Sequence, residues 1–556
     1  MQPDPKRLPS AAAAGLLTVL ALLATGCVVL TTACGATGTH KPKRVAFAAT
    51  SAARVSGVSH IGDTLSSTAG GWSLKPRRIH YTWQRCNTTN GPCQNISSAK
   101  RYTIRSADGG KLLRTVITAD GAHGASGNTW SNWVTVKPYA SYWGADYIGS
   151  QFQGAAAPWN WDAVSKFQST DAGGKAPDMV GFGISFIDDV GCKGWGWTFG
   201  NVSNFCYPSQ DLLNSERAHG TIPFVSLTTE HNGLPRGHAD PDLTDAAIEH
   251  GSVDNYVNQL ARYLASWGHP MFLRLDQEFN GNWFPWAVGG SKRHPNHSCS
   301  NLVKGGAACN RASDFVGMWQ RIHHIFACTP IRASKSQPAW NPPAGCKPAS
   351  NVSWVWTPNV DTSGKNHQWN KRASLARNTR SHPGNGYNYE SLRSLYPGGR
   401  YVNWTGFDLY NYYPHSFDGR WHSFTNLADW TYHDELSFAP SKPQLIPEVG
   451  TSPNPRESSA SQPDSKAHWI TSFLSALPRK FPDIAGFMWF ESQNQGTTVN
   501  PDANSTGIED TTNYQAGQQP SNDAKNAEQA FAGGIANSVF SQSNFGSLAT
   551  SPIPTP

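Results

Sequence analysis

Met271-Phe272-Leu273-Arg274-Leu275 is a short, largely apolar run that ends just before Glu278. In the stretch ahead of it, Ser252–Trp267, the residues Val253, Tyr256, Val257, Leu260 and Leu264 recur at spacings of three and four. That is the period of one buried helix face. A helix followed by a continuous apolar strand is the unit of a parallel sheet covered on both faces. Similar runs lie on either side, at Tyr142–Gly149, Met179–Phe186, Ile222–Leu227, Val352–Thr357, Gly406–Tyr412, Gln444–Pro447 and Ile484–Phe490. Eight strands separated by helical patterns predict a (β/α)₈ barrel over residues 139–540, with residues 541–556 as a disordered tail. The Gly-, Asn- and Pro-rich insertions after the second, fourth and fifth strands read as functional loops.

Residues 54–137 have a different texture. Gly62–Leu65, Ile79–Arg85 and Leu112–Ala119 alternate largely with period two, and Asn90-Gly91 and Asp108-Gly109-Gly110 supply turns. This predicts a small all-β sandwich, which resembles the immunoglobulin-like modules appended to secreted bacterial enzymes. Two roles stay open for it: a spacer or a carbohydrate-binding module.

Residues 1–36 carry Lys6 and Arg7 and then an apolar stretch from Ala11 to Leu30, read as a secretory signal or an uncleaved membrane anchor. Either reading places the remainder outside the cytoplasm. Ten cysteines agree with that. Eight lie beyond the leader and fall into neighbouring pairs: Cys86 with Cys93, Cys192 with Cys206, Cys299 with Cys309, and Cys328 with Cys346. All four pairs are expected to be disulfides. His294 and His297 beside Cys299 and Cys309 have zinc-like composition, but the wide cysteine spacing favours a disulfide-stapled loop. The expectation is therefore no metal and no cofactor.

With 45 Lys+Arg against 38 Asp+Glu, the formal charge is only +7 and the basic residues are scattered. Nucleic-acid binding needs a basic stripe and is excluded on that ground. The Walker phosphate loop and the Gly-x-Ser-x-Gly elbow are missing, which argues against nucleotide and serine-hydrolase chemistry.

In barrels of this kind the chemistry sits at the carboxyl ends of the strands. Glu278 follows the fourth strand and Glu448 the seventh, while Trp283, Trp286, Trp356, Tyr410, Tyr412, Trp489 and Glu491 lie at or beyond strand ends. Two carboxylates in an aromatic cleft suit glycosidic hydrolysis: one protonates the leaving oxygen and the other attacks or activates water. The stretch from Arg274 through Asp276, Gln277, Glu278, Phe279, Asn280, Gly281, Asn282 and Trp283 to Trp286 resembles the acid/base motif of glycoside hydrolase family 26. That family comprises β-mannanases with some mixed-linkage β-glucanases and β-1,3-xylanases. Trp354–Asn359, Gly406–Tyr410 and Glu448–Ser452 resemble its later strand motifs in the same order.

The resemblance implies Glu278 as general acid/base, Glu448 as nucleophile, Tyr410 as the partner of the nucleophile and Trp283 as a stacking platform. Arg274, Gln277, Asn280, Trp286, Trp356, Asp408, Tyr412 and Trp489 are the further expected substrate contacts. Asp276 takes a supporting position. Gln277 departs from the family pattern, in which His typically precedes the acid/base. The expected activity is retaining endo-hydrolysis of a β-linked polysaccharide, β-1,4-mannan first, by two-glutamate double displacement in a monomeric extracellular enzyme. A β-glucanase, a β-xylanase and a non-catalytic polysaccharide-binding barrel are the alternatives.

Overall fold

The computed structural model describes residues 46–57, 59, 63–149, 161–185, 210–229, 241–281, 284, 286–288, 310–335, 337–360, 391–412, 420–454, 461–493, 523–541 and 545–556. Its centre is a closed parallel barrel. The strands are β1 (Tyr142–Gly149), β2 (Met179–Ser185), β3 (Ile222–Thr228), β4 (Met271–Leu275), β5 (Val352–Trp356), β6 (Trp404–Gly406, continued by Leu409–Asn411), β7 (Gln444–Thr451) and β8 (Ile484–Gln493). Each pairs in parallel with the next, and β1 pairs with β8 over eight residues, from Tyr142↔Gly486 to Gly149↔Gln493, which closes the ring.

Alternate residues of each strand face the lumen and the helix layer. Tyr142, Phe224, Phe272, Val355, Leu445 and Met488 pack with one another on the lumen side. Their neighbours Trp143, Val449 and Trp489 join the helices Phe424–Phe438, Lys466–Lys480 and Asp523–Ile535 in one outer cluster. Val225, Leu273 and Trp356 join Asp254–Trp267 and Ala312–Phe326 in another. The helix Asp254–Trp267 buries Tyr256, Val257, Leu260 and Leu264 and stops at Gly268, whose φ of 73° gives the left-handed cap.

Two strands differ from the reading of the sequence. The sixth begins earlier than Gly406 and jogs at Phe407-Asp408, where Asp408 donates its amide to the carbonyl of Pro358 (2.9 Å). Gly406 makes this possible, because a Cβ there would lie 1.6 Å from the Leu445 carbonyl oxygen. The seventh runs on past Pro447 to Thr451, and its register with β8 shifts between Ile446 and Val449. Glu448 therefore sits inside the strand at an irregularity, where a proline that cannot donate to the ladder already weakens regular pairing.

The expected disordered tail is corrected for residues 545–556, which close the amino-terminal end of the barrel. Ile553 is 2% exposed and packs into the lumen cluster. Its amide donates to Ser353 Oγ (2.7 Å), and its carbonyl accepts from Trp404 Nε1 (3.0 Å). Tyr142 Oη donates to the Pro554 carbonyl (2.9 Å). The proline-rich composition looked like disorder, but an extended strap suits proline, and an open barrel end leaves apolar surface to cover. Ile553→Ala should lower unfolding free energy by about 2–5 kcal/mol, measured by denaturant titration. Stability equal to the parent's would contradict this packing role.

The amino-terminal module is all-β. A five-stranded antiparallel sheet is built on Arg78–Cys86 and Leu112–Asp120, in register from Arg78↔Asp120 to Cys86↔Leu112. A three-stranded sheet of Val55–Ser56, Thr64–Ser67 and Arg101–Thr103 faces it. Leu65, Trp83, Tyr102, Leu113 and Val136 fill the space between.

Two of the four expected disulfides are present among the described residues. Cys86–Cys93 joins two paired residues of adjacent strands, and Cys328–Cys346 staples the connection into β5. Cys192, Cys206, Cys299 and Cys309 all lie outside the described residues, as do His294, His297 and the apolar leader. No helix among the described residues is long and apolar enough to cross a membrane.

Candidate active site

Arg274 organises the carboxyl end of the barrel. It is 1% exposed, and its Nε donates to Ser226 Oγ on β3 (2.9 Å). Nη1 donates to both oxygens of Asp408 (2.9 and 3.0 Å), and Nη2 donates to Glu448 Oε1. One planar guanidinium thus spans β3, β4, β6 and β7, which an ammonium could not do. Burial works against its charge, but Asp408, Glu448 and Asp146 outweigh that and raise its pKa above the ordinary value. Tyr410 Oη donates to the other oxygen of Glu448. Burial, followed by the neighbouring carboxylates, raises the Tyr410 and Tyr412 pKa values, so both phenols keep their protons. The two rings stack 4.7 Å apart at 12°.

The chain leaving β4 is conformationally forced. Asp276 and Glu278 both adopt positive φ (46° and 53°), rare for residues with a Cβ. Asp276 is held by Thr229, whose amide (2.7 Å) and hydroxyl (2.9 Å) donate to its carboxylate. Its role is to anchor the turn. The Glu278 amide donates to the Thr357 carbonyl (3.1 Å), which sets the residue at the end of β5. There Asn359 Nδ2 donates to Glu278 Oε1. Asn359 is itself fixed by a reciprocal pair with Asn280: Asn280 Nδ2 to the Asn359 carbonyl (2.9 Å), and the Asn359 amide to Asn280 Oδ1 (2.8 Å).

One carboxylate oxygen from each of Glu278, Asp408 and Glu448 lies within 4.8 Å of the others. Three acids this close need positive charge, and Arg274 supplies it. Glu278 is 7% exposed and the Glu448 side chain 12%. Gln277, next to it, has its side-chain amide oxygen buried without a hydrogen-bond partner among the described residues.

Three aromatic expectations are corrected. Trp356 and Trp489 are fully buried and face the helix layer. Trp356 packs on Phe279 and donates to the Leu395 carbonyl (3.1 Å), while Trp489 packs on Trp469 and Phe531. Both occupy the outward parity of their strands, so neither presents a face to a ligand. Trp286 is 1% exposed, stacks on Phe284 and donates to the Gln277 carbonyl (2.7 Å). It braces the Gln277-Glu278 turn. Asn280 likewise positions Asn359. Trp283 lies outside the described residues.

Sequence reasoning passed over Asn359, Ser226 and Asp146 as site residues. Asn359 was visible as the end of the Trp354–Asn359 motif, and Asp146 as a lone acid in an apolar strand. Asp146 is 5% exposed in the lumen, where Gly181 leaves room: a Cβ at Gly181 would lie 3.0 Å from its carboxyl carbon. Burial first, then the charge of Glu448, raises its pKa to about 7 from 3.8, with Arg274 opposing. The stability this group contributes is thus fully present below about 3.8 and is lost as pH rises towards 7. Asp146→Asn should remove the penalty, raising stability by a few kcal/mol at pH 8 and little at pH 4. Melting curves across that range test it, and a gain that is the same at both ends would contradict the sign.

The chain is similar to Endoglucanase H of Acetivibrio thermocellus, at 25% identity over 249 residues, covering 45% of this chain and 20% of that protein. It spans about one fifth of the length of that relative. Among solved structures it is similar to a modular endo-β-1,4-mannanase from Cellulomonas fimi, with 16% identity, 74% and 73% of the two chains covered and a TM-score of 0.42. It is also similar to the GH26 domain of an endo-β-mannanase/endo-β-glucanase from Prevotella bryantii, with 12% identity, 72% and 90% covered and a TM-score of 0.36. No protein-family model matches the chain.

Proposed function

We propose that this protein is a secreted, retaining endo-β-glycanase of the family 26 type, with β-1,4-mannan as its first-choice substrate. The observation that carries the reading is the approach of one carboxylate oxygen of Glu278, just beyond β4, to within 4.8 Å of one of Glu448, inside β7. Retaining enzymes hold their carboxyl groups about 5–5.5 Å apart, and inverting ones about 6.5–9.5 Å, to admit a water. The closeness of this pair favours direct attack.

In this mechanism Glu448, aimed by Arg274 and Tyr410, attacks the anomeric carbon. Glu278 gives its proton to the leaving oxygen as that bond breaks. A glycosyl ester on Glu448 results, and Glu278, now the base, takes a proton from the water that releases it. Asn359 orients Glu278 through both half-reactions. The similarity to an endoglucanase supports a β-glycan substrate, and the disulfides Cys86–Cys93 and Cys328–Cys346 support an extracellular location.

Incubation with β-mannan, mixed-linkage β-glucan and xylans tests the reading. New reducing ends, greatest on mannan, are expected; binding without cleavage would overturn it.

The unpartnered amide oxygen of Gln277 favours a second reading of the specificity. A buried acceptor with no donor among the described residues suits a sugar hydroxyl, and mannose and glucose differ in the orientation of the 2-hydroxyl. On this reading Gln277 selects a gluco- or xylo-configured chain. Gln277→His should then shift the mannan-to-glucan rate ratio towards mannan by about tenfold, a difference of about 1.4 kcal/mol. An unchanged ratio in a folded variant would leave Gln277 without a specificity role.

A further inference from the structure

The strand Leu112–Asp120 of the amino-terminal module is strictly two-sided. Leu113, Thr115, Ile117 and Ala119 are buried, so the residues between them face outward. Register carries that outer face across the sheet. Val116 lies between Thr82 and Trp130, and Arg114 lies opposite Gln84. Trp130 is 49% exposed, an unusual position for so large an apolar ring.

A polar ladder runs beside it. The Arg114 guanidinium stacks 4.3 Å over the Trp133 ring, its Nε donates to Gln84 Oε1 (2.9 Å), and Gln84 Nε2 donates to Asn95 Oδ1 (3.1 Å). At the far end, His80 sits 3.2 Å from Asp120. The Arg114 guanidinium is engaged by Gln84 and the Trp133 ring and Asp120 lies beside His80, so the face around Trp130 presents mainly neutral groups to a ligand. It offers an open indole, amides and a hydroxyl.

From this arrangement we infer that the Trp130 face is a polysaccharide-binding site that holds an uncharged β-glycan chain laid across the strands, with one sugar ring stacked on Trp130 and the hydroxyls of the following sugars on Thr82, Gln84 and Asn95. Flat apolar rings with polar groups at the margin suit sugars, whose faces carry C–H groups and whose edges carry hydroxyls. The inference rests on the reading of the barrel as a β-glycanase, because it takes the ligand to be the polymer that the barrel cleaves. Its effect would be to keep the enzyme on the polymer between cleavage events.

The test uses the full chain. Retention on insoluble mannan, β-glucan and xylan is measured in a Glu448→Ala background, which leaves the polymer intact. Adding Trp130→Ala should weaken retention roughly tenfold, whereas Trp130→Phe should keep most of it. Trp130→Ala alone should leave kcat/KM on a short soluble oligosaccharide unchanged, with the parent's melting temperature. Equal retention with and without Trp130 would overturn the inference. So would Trp130-dependent self-association in sedimentation without polysaccharide retention. If the parent cleaves no β-glycan but Trp130-dependent retention persists, the catalytic reading fails and the binding site stands.

Discussion

Replacing Glu448 with alanine is expected to abolish turnover, with a loss on the order of 10⁴-fold or more, the scale of removing a covalent nucleophile. The fold should survive, because Glu448 is only partly buried and Asp408 remains to pair with Arg274. Glu278→Ala should behave differently. With an aryl glycoside whose leaving group needs no proton, the first step should proceed and an initial burst of released phenol should appear. Water attack on the ester then lacks its base, and steady turnover falls. Stopped-flow and steady-state assays on the two variants separate the roles. Equal behaviour of the two, or a burst from Glu448→Ala, would exchange or dissolve the assignment.

The second large effect is expected at Arg274. Arg274→Leu leaves Asp408 and Glu448 facing each other in the barrel without a counter-charge, and Ser226 without its donor. Removing one partner of a buried ion pair costs about 3–5 kcal/mol. Misplacement of the nucleophile should cost at least about 10²-fold in kcat. Arg274→Lys should not restore either property, since one ammonium cannot hold Ser226, Asp408 and Glu448 together. Denaturant unfolding and kcat on the best substrate measure both. Parent-like stability in Arg274→Leu would show that the ion pairs are not what holds this end of the barrel.

Much of the barrel was legible in the sequence because burial on both faces writes a parallel strand as a continuous apolar run. Met271–Leu275 was read to the residue. What the pattern could not give was direction. Trp356 ends β5 and Trp489 lies within β8, and a one-residue difference in parity turns both to the helix layer. A continuous run carries no mark of which residues face inward. Nor could it show the jog at Phe407-Asp408, which depends on a glycine passing within contact of the Leu445 backbone. That jog delivers Asp408 to Arg274.

The two glutamates were legible for another reason: each is an acid immediately beyond an apolar run, where solvent alone seldom explains a carboxylate followed by a loop-forming residue. The amide that orients Glu278 was harder to find. Asn359, which contacts Glu278 directly, is held by Asn280, a residue 79 positions away in sequence. The strap at 545–556 was misread because proline-rich composition signals disorder and extended packing alike.

The central claim is that Glu278 and Glu448 form a retaining pair, and the anomer first released tests it most directly. A short β-linked oligosaccharide that the enzyme cleaves is hydrolysed with excess enzyme in an NMR tube, and the anomeric protons are followed before mutarotation. The account predicts that the β anomer appears first and the α anomer grows in later. First appearance of the α anomer would mean single-step inversion and would contradict the nucleophile assigned to Glu448.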